Sequence, residues 1–117
     1  MSIRLNPACV TTDSSDAASL AQWWADVMGG TVDGYPEAGY WGVVVEGLSM
    51  SLGFAQVDDP TPGKNRLHID FAVEDRPAAV AALVEAGAKI VYEGSFQGMT
   101  WTTLADPDGN LFDVAGT

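Results

Sequence analysis

At 117 residues the chain is long enough for one domain with its own core, and 47% hydrophobic against 18% charged residues excludes a disordered segment. Sixteen acidic against five basic side chains give a net charge of −11, which leaves no basic footprint for nucleic acid and sets the chain against an anionic membrane surface. A neutral or cationic ligand is easier to hold than an anionic one. Cys9 is the single cysteine, so no intrachain disulfide forms. The start has no apolar stretch after its one positive charge, and no apolar run reaches membrane-spanning length. The expectation is a cytoplasmic protein with no membrane and no nucleic-acid partner.

Residues 4–12 read as a strand, followed by the cap-rich run Thr12-Asp13-Ser14-Ser15-Asp16. Leu20, Trp23, Trp24, Val27 and Met28 then recur on one helical face, and Gly29-Gly30 stops a helix over about 15–28. Strands are predicted over Thr31–Tyr35, Tyr40–Glu46 and Ser49–Gln56, separated by Pro36-Glu37-Ala38-Gly39 and Gly47. A polar, proline-containing connector covers 58–65.

The pattern then repeats. Arg66–Glu74 alternates as a strand, with Leu67, Ile69, Phe71 and Val73 toward a helix-side core and Arg66, His68, Asp70 and Ala72 on the other face. Asp75 and Pro77 open a second helix whose buried face is Val80, Leu83 and Val84, and Gly87 closes it. Ala88–Tyr92, Met99–Ala105 and Asn110–Ala115 are three more strands, the last two joined at Asp106-Pro107-Asp108-Gly109. The expected fold is α+β, with two tandem βαβββ modules over 1–57 and 66–117 in one domain. Two helices cover one side of the sheets and leave the other as a concave cavity. A ferredoxin-like fold has too few strands to use the chain.

Lys64-Asn65-Arg66-Leu67-His68-Ile69-Asp70, with Ala86-Gly87-Ala88 and Asp106-Pro107-Asp108-Gly109-Asn110, resembles the vicinal oxygen chelate superfamily, which includes glyoxalase I, bleomycin-resistance proteins and extradiol dioxygenases. The likeness is to its small glyoxalase-like branch. Asp16, Leu20, Trp23-Trp24 and Gly29-Gly30 extend it over nearly the whole chain. It implies a divalent metal such as zinc, nickel, manganese or iron, held in metal-using members by His, Glu, His and Glu. Carried over residue by residue, those places fall on Cys9, Gln56, His68 and Asp113, so only His68 keeps the family's residue type. The resemblance also implies a symmetric homodimer.

Thiolate, imidazole and carboxylate are acceptable ligands, and Gln56 is a weak one. The plainer reading of Cys9 is a small buried hydrophobe. His68 is the only histidine, so any imidazole acid–base or metal role rests on it. Asp70, about 6–7 Å away along the strand, can orient it as the second member of a catalytic pair, or pair with Arg66. Trp23 and Trp24 belong to the core. Trp41 and Trp101 occupy matching strands, and with Arg66 and Phe54 they are candidate pocket residues. Met50, Leu52 and Phe54 share a strand face with Gln56 and line the cavity if Gln56 does. There is no G-x-G-x-x-G, Walker A or nucleophile elbow. The favoured function is binding of a small, cationic or aromatic molecule without the standard metal set. The alternatives are a divalent-metal-dependent lyase or dioxygenase, and a metal-free enzyme using His68 and Asp70.

Overall fold

A computed structural model describes residues 8–63, 65 and 67–117. They divide into two compact units, Met1–Thr61 and Pro62–Thr117. Each has the order strand, helix, three strands, and each forms its own four-stranded sheet.

The first unit comprises β1 (Cys9–Ser14), α1 (Ala17–Met28), β2 (Thr31–Tyr35), β3 (Tyr40–Val44) and β4 (Ser51–Gln56), in the sheet order β1-β4-β3-β2. β1 runs parallel to β4 and the other pairs are antiparallel. Asp16 caps α1 by accepting from the Ser19 N–H, and Gly29 ends it at φ 68°. The buried stripe of α1 is Ala17, Leu20, Ala21, Trp24 and Ala25. Three alanines on that stripe let the helix sit close to the sheet. Trp23, Val27 and Met28, expected on the same face, lie at its margin and are half-buried.

The second unit comprises β5 (Asp70–Ala72), α2 (Arg76–Ala86), β6 (Lys89–Phe96), β7 (Met99–Ala105) and β8 (Leu111–Ala115), in the order β5-β8-β7-β6. β5 is parallel to β8. Asp75 caps α2 through the Ala78 N–H and Gly87 closes it. Val80 is buried, whereas Val84 is exposed, so the apolar stripe of α2 is narrower than its sequence suggests. Phe71 and Phe112 meet edge to face, 5.9 Å apart, beside Leu104 and Val114.

Two strands differ from expectation. The stretch predicted as a strand over 66–74 pairs only over Asp70–Ala72, and Leu67, expected in the core, is 83% exposed. The reason is local. The Asn65 side chain bonds both the N–H and the C=O of Leu111, the groups a strand residue would otherwise take. β6 runs four residues further than expected, through Gly94, because the Trp101 ring lies over that glycine where a Cβ would clash. Gln97 and Gly98, both at positive φ, then turn the chain tightly into β7. Between Ile90 and Tyr92 the β6–β7 register shifts by one residue, so Val91 has no partner. Ile90 consequently pairs with Leu104 on the helix side and Tyr92 with Thr103 on the opposite side.

Leu104 is fully buried, so Leu104→Ala is expected to cost about 2–5 kcal/mol of stability. Asp75→Ala should cost about 1 kcal/mol through the lost cap, and Val84→Ala about 0.5 kcal/mol or less. Urea unfolding followed by circular dichroism checks the ranking.

Candidate functional site

On the sheet face of the second unit turned away from α2, one cross-strand row reads Asp70, Asp113, Thr103, Tyr92. The next row reads Ala72, Ala115, Trp101, Gly94. The register that buries Phe112 and Val114, with Phe71 half-buried against Phe112, forces their sequence neighbours onto this face. His68 joins the first row from just before β5. Its Nδ1 lies 3.0 Å from Asp70 Oδ1 and 3.6 Å from Asp113 Oδ2. Thr103 donates to the other oxygen of Asp113 at 2.5 Å. Asp113 is the least exposed of the three, at 19%, against 43% for His68 and 65% for Asp70. The aromatic part of the face is Trp101, packed over Gly94 where a Cβ would clash, and Tyr92, which is 59% exposed. Trp101 is diagonal to Asp113, with Ala115 and Thr103 at the other two corners, and Ala72 lies beyond Ala115 on the strand of Asp70.

Turn chemistry fixes the strand ends behind this face. The buried Asp106 carboxylate accepts from the N–H groups of Asp108 and Asn110 and from the Asn110 side chain. That locks the Asp-Pro-Asp-Gly-Asn turn and hence the start of β8. Ile69 C=O accepts from the Asp113 N–H at 3.0 Å.

The first unit treats the matching face differently. Cys9 lies seven residues before its helix cap, as His68 does before Asp75. Thr11 and Gly53 pair there where Asp70 and Asp113 pair in the second unit. A glycine therefore stands in the place of Asp113, and the Tyr40 ring lies over it. The Tyr40 hydroxyl is 3.1 Å from Cys9 Sγ. Cys9 is exposed and hydrogen-bonded, in contrast to the buried hydrophobe expected of it. Burial pushes the Cys9 thiol up, but hydrogen bonds from Tyr40, Thr11 and Ser51 together outweigh it and bring the group below its ordinary value. The same contact with Cys9, then burial, raises Tyr40.

The other sequence-derived candidates lie elsewhere. Gln56 shares a face with Leu52 and Phe54, and that face carries α1. Its side-chain oxygen accepts from the Ala17 N–H, and its nitrogen donates to Ser15 C=O. Gln56 thus holds the start of α1. Phe54 is buried in the core of this unit, and Trp41, its cross-strand partner, packs over Gly34, where a Cβ would clash. Met50 is exposed ahead of β4. Arg66 lies outside the described residues. Of the proposed set, His68, Asp70 and Asp113 come together, with Trp101 on the same face. Thr103 and Tyr92 went unread as partners of that group. Their signal was parity, since Thr103 is two residues from Trp101 on β7.

Among the described residues, one group of three potential metal ligands occurs, His68, Asp70 and Asp113, whose donor atoms all lie within 4.8 Å of one another. One imidazole and two carboxylates suit zinc, manganese or iron and leave coordination positions open. The donor set therefore fits a divalent cation.

Residues 9–115 match the model of the glyoxalase-like domain family. The chain belongs to that family, within the glyoxalase/bleomycin resistance/dioxygenase superfamily of vicinal oxygen chelate proteins. Its fold is similar to that of a superfamily member from Sphaerobacter thermophilus, at 19% identity and TM-score 0.77, covering 97% of this chain and 98% of that one. A glyoxalase/bleomycin resistance protein/dioxygenase family enzyme from Burkholderia phytofirmans is similar at 19% identity and TM-score 0.74, with 93% and 96% covered. A glyoxalase-related enzyme from Fulvimarina pelagi is similar at 17% identity and TM-score 0.74, with 96% and 88% covered. No curated protein matches the chain. Among the described residues no helix is long and apolar enough to cross a membrane.

The lowered Cys9 thiol has a direct consequence. Thiolate forms at lower pH than in a free cysteine, and Tyr40→Phe removes the largest of the lowering hydrogen bonds. The pH midpoint of iodoacetamide alkylation at Cys9 is expected to rise in Tyr40→Phe, and mass spectrometry of the single-cysteine chain reads it.

Proposed function

We infer that the chain binds a small organic cation with a flat face, on the second sheet and away from α2. The observation that carries this is the cross-strand arrangement that sets the Asp70–Asp113 pair on the same face as Trp101, which is diagonal to Asp113 with Ala115 and Thr103 at the other two corners. Carboxylates supply charge that a cation satisfies, and the indole face adds a cation–π and stacking contact. The net charge of −11 favours such a ligand at long range. His68 then serves as a hydrogen-bonding edge of the site, oriented by its two carboxylates.

N-methylquinolinium is a suitable probe, read by tryptophan quenching. Saturable quenching is expected, weakened about tenfold in Asp113→Asn, since hydrogen bonds and ion contacts to a charged group are worth about 1.5–3 kcal/mol. Trp101→Leu should remove most of the signal, which separates it from Trp23 and Trp24 on α1. Quenching that does not saturate, or that both variants leave unchanged, would overturn the reading.

The His68, Asp70 and Asp113 donor set favours a second reading, a divalent-metal-dependent lyase or dioxygenase. These three residues would hold the ion, which when bound supplies Lewis-acid polarisation of a substrate oxygen. Thr103 would keep one Asp113 oxygen occupied and leave the other turned toward His68. After loading with zinc, nickel, manganese or iron(II), elemental analysis is expected to find one metal per chain, lost in His68→Ala. Absence of metal from the natural protein would sink this second reading and leave the first standing.

A further inference from the structure

Asn65 lies outside every strand, yet its side chain makes the contacts of a strand residue. Its Oδ1 accepts from the Leu111 N–H at 2.9 Å, and its Nδ2 donates to the Leu111 C=O at 3.3 Å and to the Leu67 C=O. Two residues further along β8, the Asp113 N–H donates to Ile69 C=O. The backbone at 67–68 therefore spans two fixed points, the Asn65 amide opposite Leu111 and the Ile69 carbonyl opposite Asp113. His68 sits between them, and its imidazole reaches Asp70 and Asp113.

We propose that Asn65 is a positioning residue for this face: its amide stands in for a strand residue opposite Leu111 and so holds the His68 imidazole against Asp113. The chemistry is specific to a carboxamide. Only Asn and Gln offer an acceptor and a donor in one plane, matching the paired C=O and N–H of a strand edge. Glutamine is a methylene longer and would push the segment outward. Aspartate keeps the acceptor for the Leu111 N–H but sets a second acceptor against two carbonyls. The inference deepens the reading of this face as the functional site, and its test needs no ligand, so its failure is distinguishable from failure of that reading.

His68 is the only histidine, so its ring gives one unambiguous set of 1H–13C cross-peaks. In the natural chain at fixed pH, Asp113→Asn is expected to shift those peaks. In Asn65→Ala the same Asp113→Asn change should leave them in place, because the imidazole no longer meets Asp113. The Leu111 amide should exchange with solvent about fivefold faster or more, having lost its acceptor. The rest of the backbone spectrum should be retained. In Asn65→Asp the Leu111 amide should remain protected while the His68 response falls, a separation that a merely structural role would not produce. If Asn65→Ala does not fold, the Asn65→Asp pair carries the test. A full His68 response to Asp113→Asn in the Asn65 variants would overturn the proposal.

Discussion

The parallel register of β5 and β8 places Asp70 and Asp113 side by side, and the candidate site depends on that placement. Two carboxylates on adjacent strands repel unless something positive or hydrogen-bonding stands near them. Thr103 occupies one oxygen of Asp113, and His68 meets the other as well as Asp70. The pair is thus supported from one side and still exposed on the other. A cationic group or an ion arriving there would offset the charge of the two carboxylates.

The two units share a plan and diverge in what they set on it. In the second, an aspartate stands on β8 with a histidine beside it. In the first, a glycine takes that place and Tyr40 fills the space above it, its hydroxyl spent on Cys9. A tyrosine over a glycine covers backbone where a side chain would otherwise project, so this face of the first unit is rich in hydroxyls and a thiol, and that of the second in carboxylates. Gln56 takes no part in either, because the parity of β4 turns it to the start of α1.

Much of this was legible in the sequence. Helix limits were readable because Asp16, Gly29, Asp75 and Gly87 are strong local punctuation, and the second-unit face because His68, Asp70 and Asp113 sit at strand parity. The rest depended on contacts between distant residues. Leu67 follows the alternation yet stays out of the core, since the Asn65 amide takes the Leu111 groups that a longer β5 would have used. The strand predicted to end at Tyr92 continues through Gly94, where the Trp101 ring packs upon the glycine. The family pattern pointed to Gln56, while the internal register put Gly53 opposite Thr11, a correspondence visible only once the β1–β4 pairing was known.

The unpaired Val91 bears on how this acidic chain behaves among its copies. β6 is an edge of its sheet and carries Ile90, Val91, Tyr92 and Phe96, all exposed. A flat edge of that composition is a template for lateral strand addition, and a bulge twists such an edge away from a straight partner. Removing Val91 would leave every later β6 residue opposite its present β7 partner, so the site face would survive. What would be lost is the kink, and with it one safeguard against growth into fibrils.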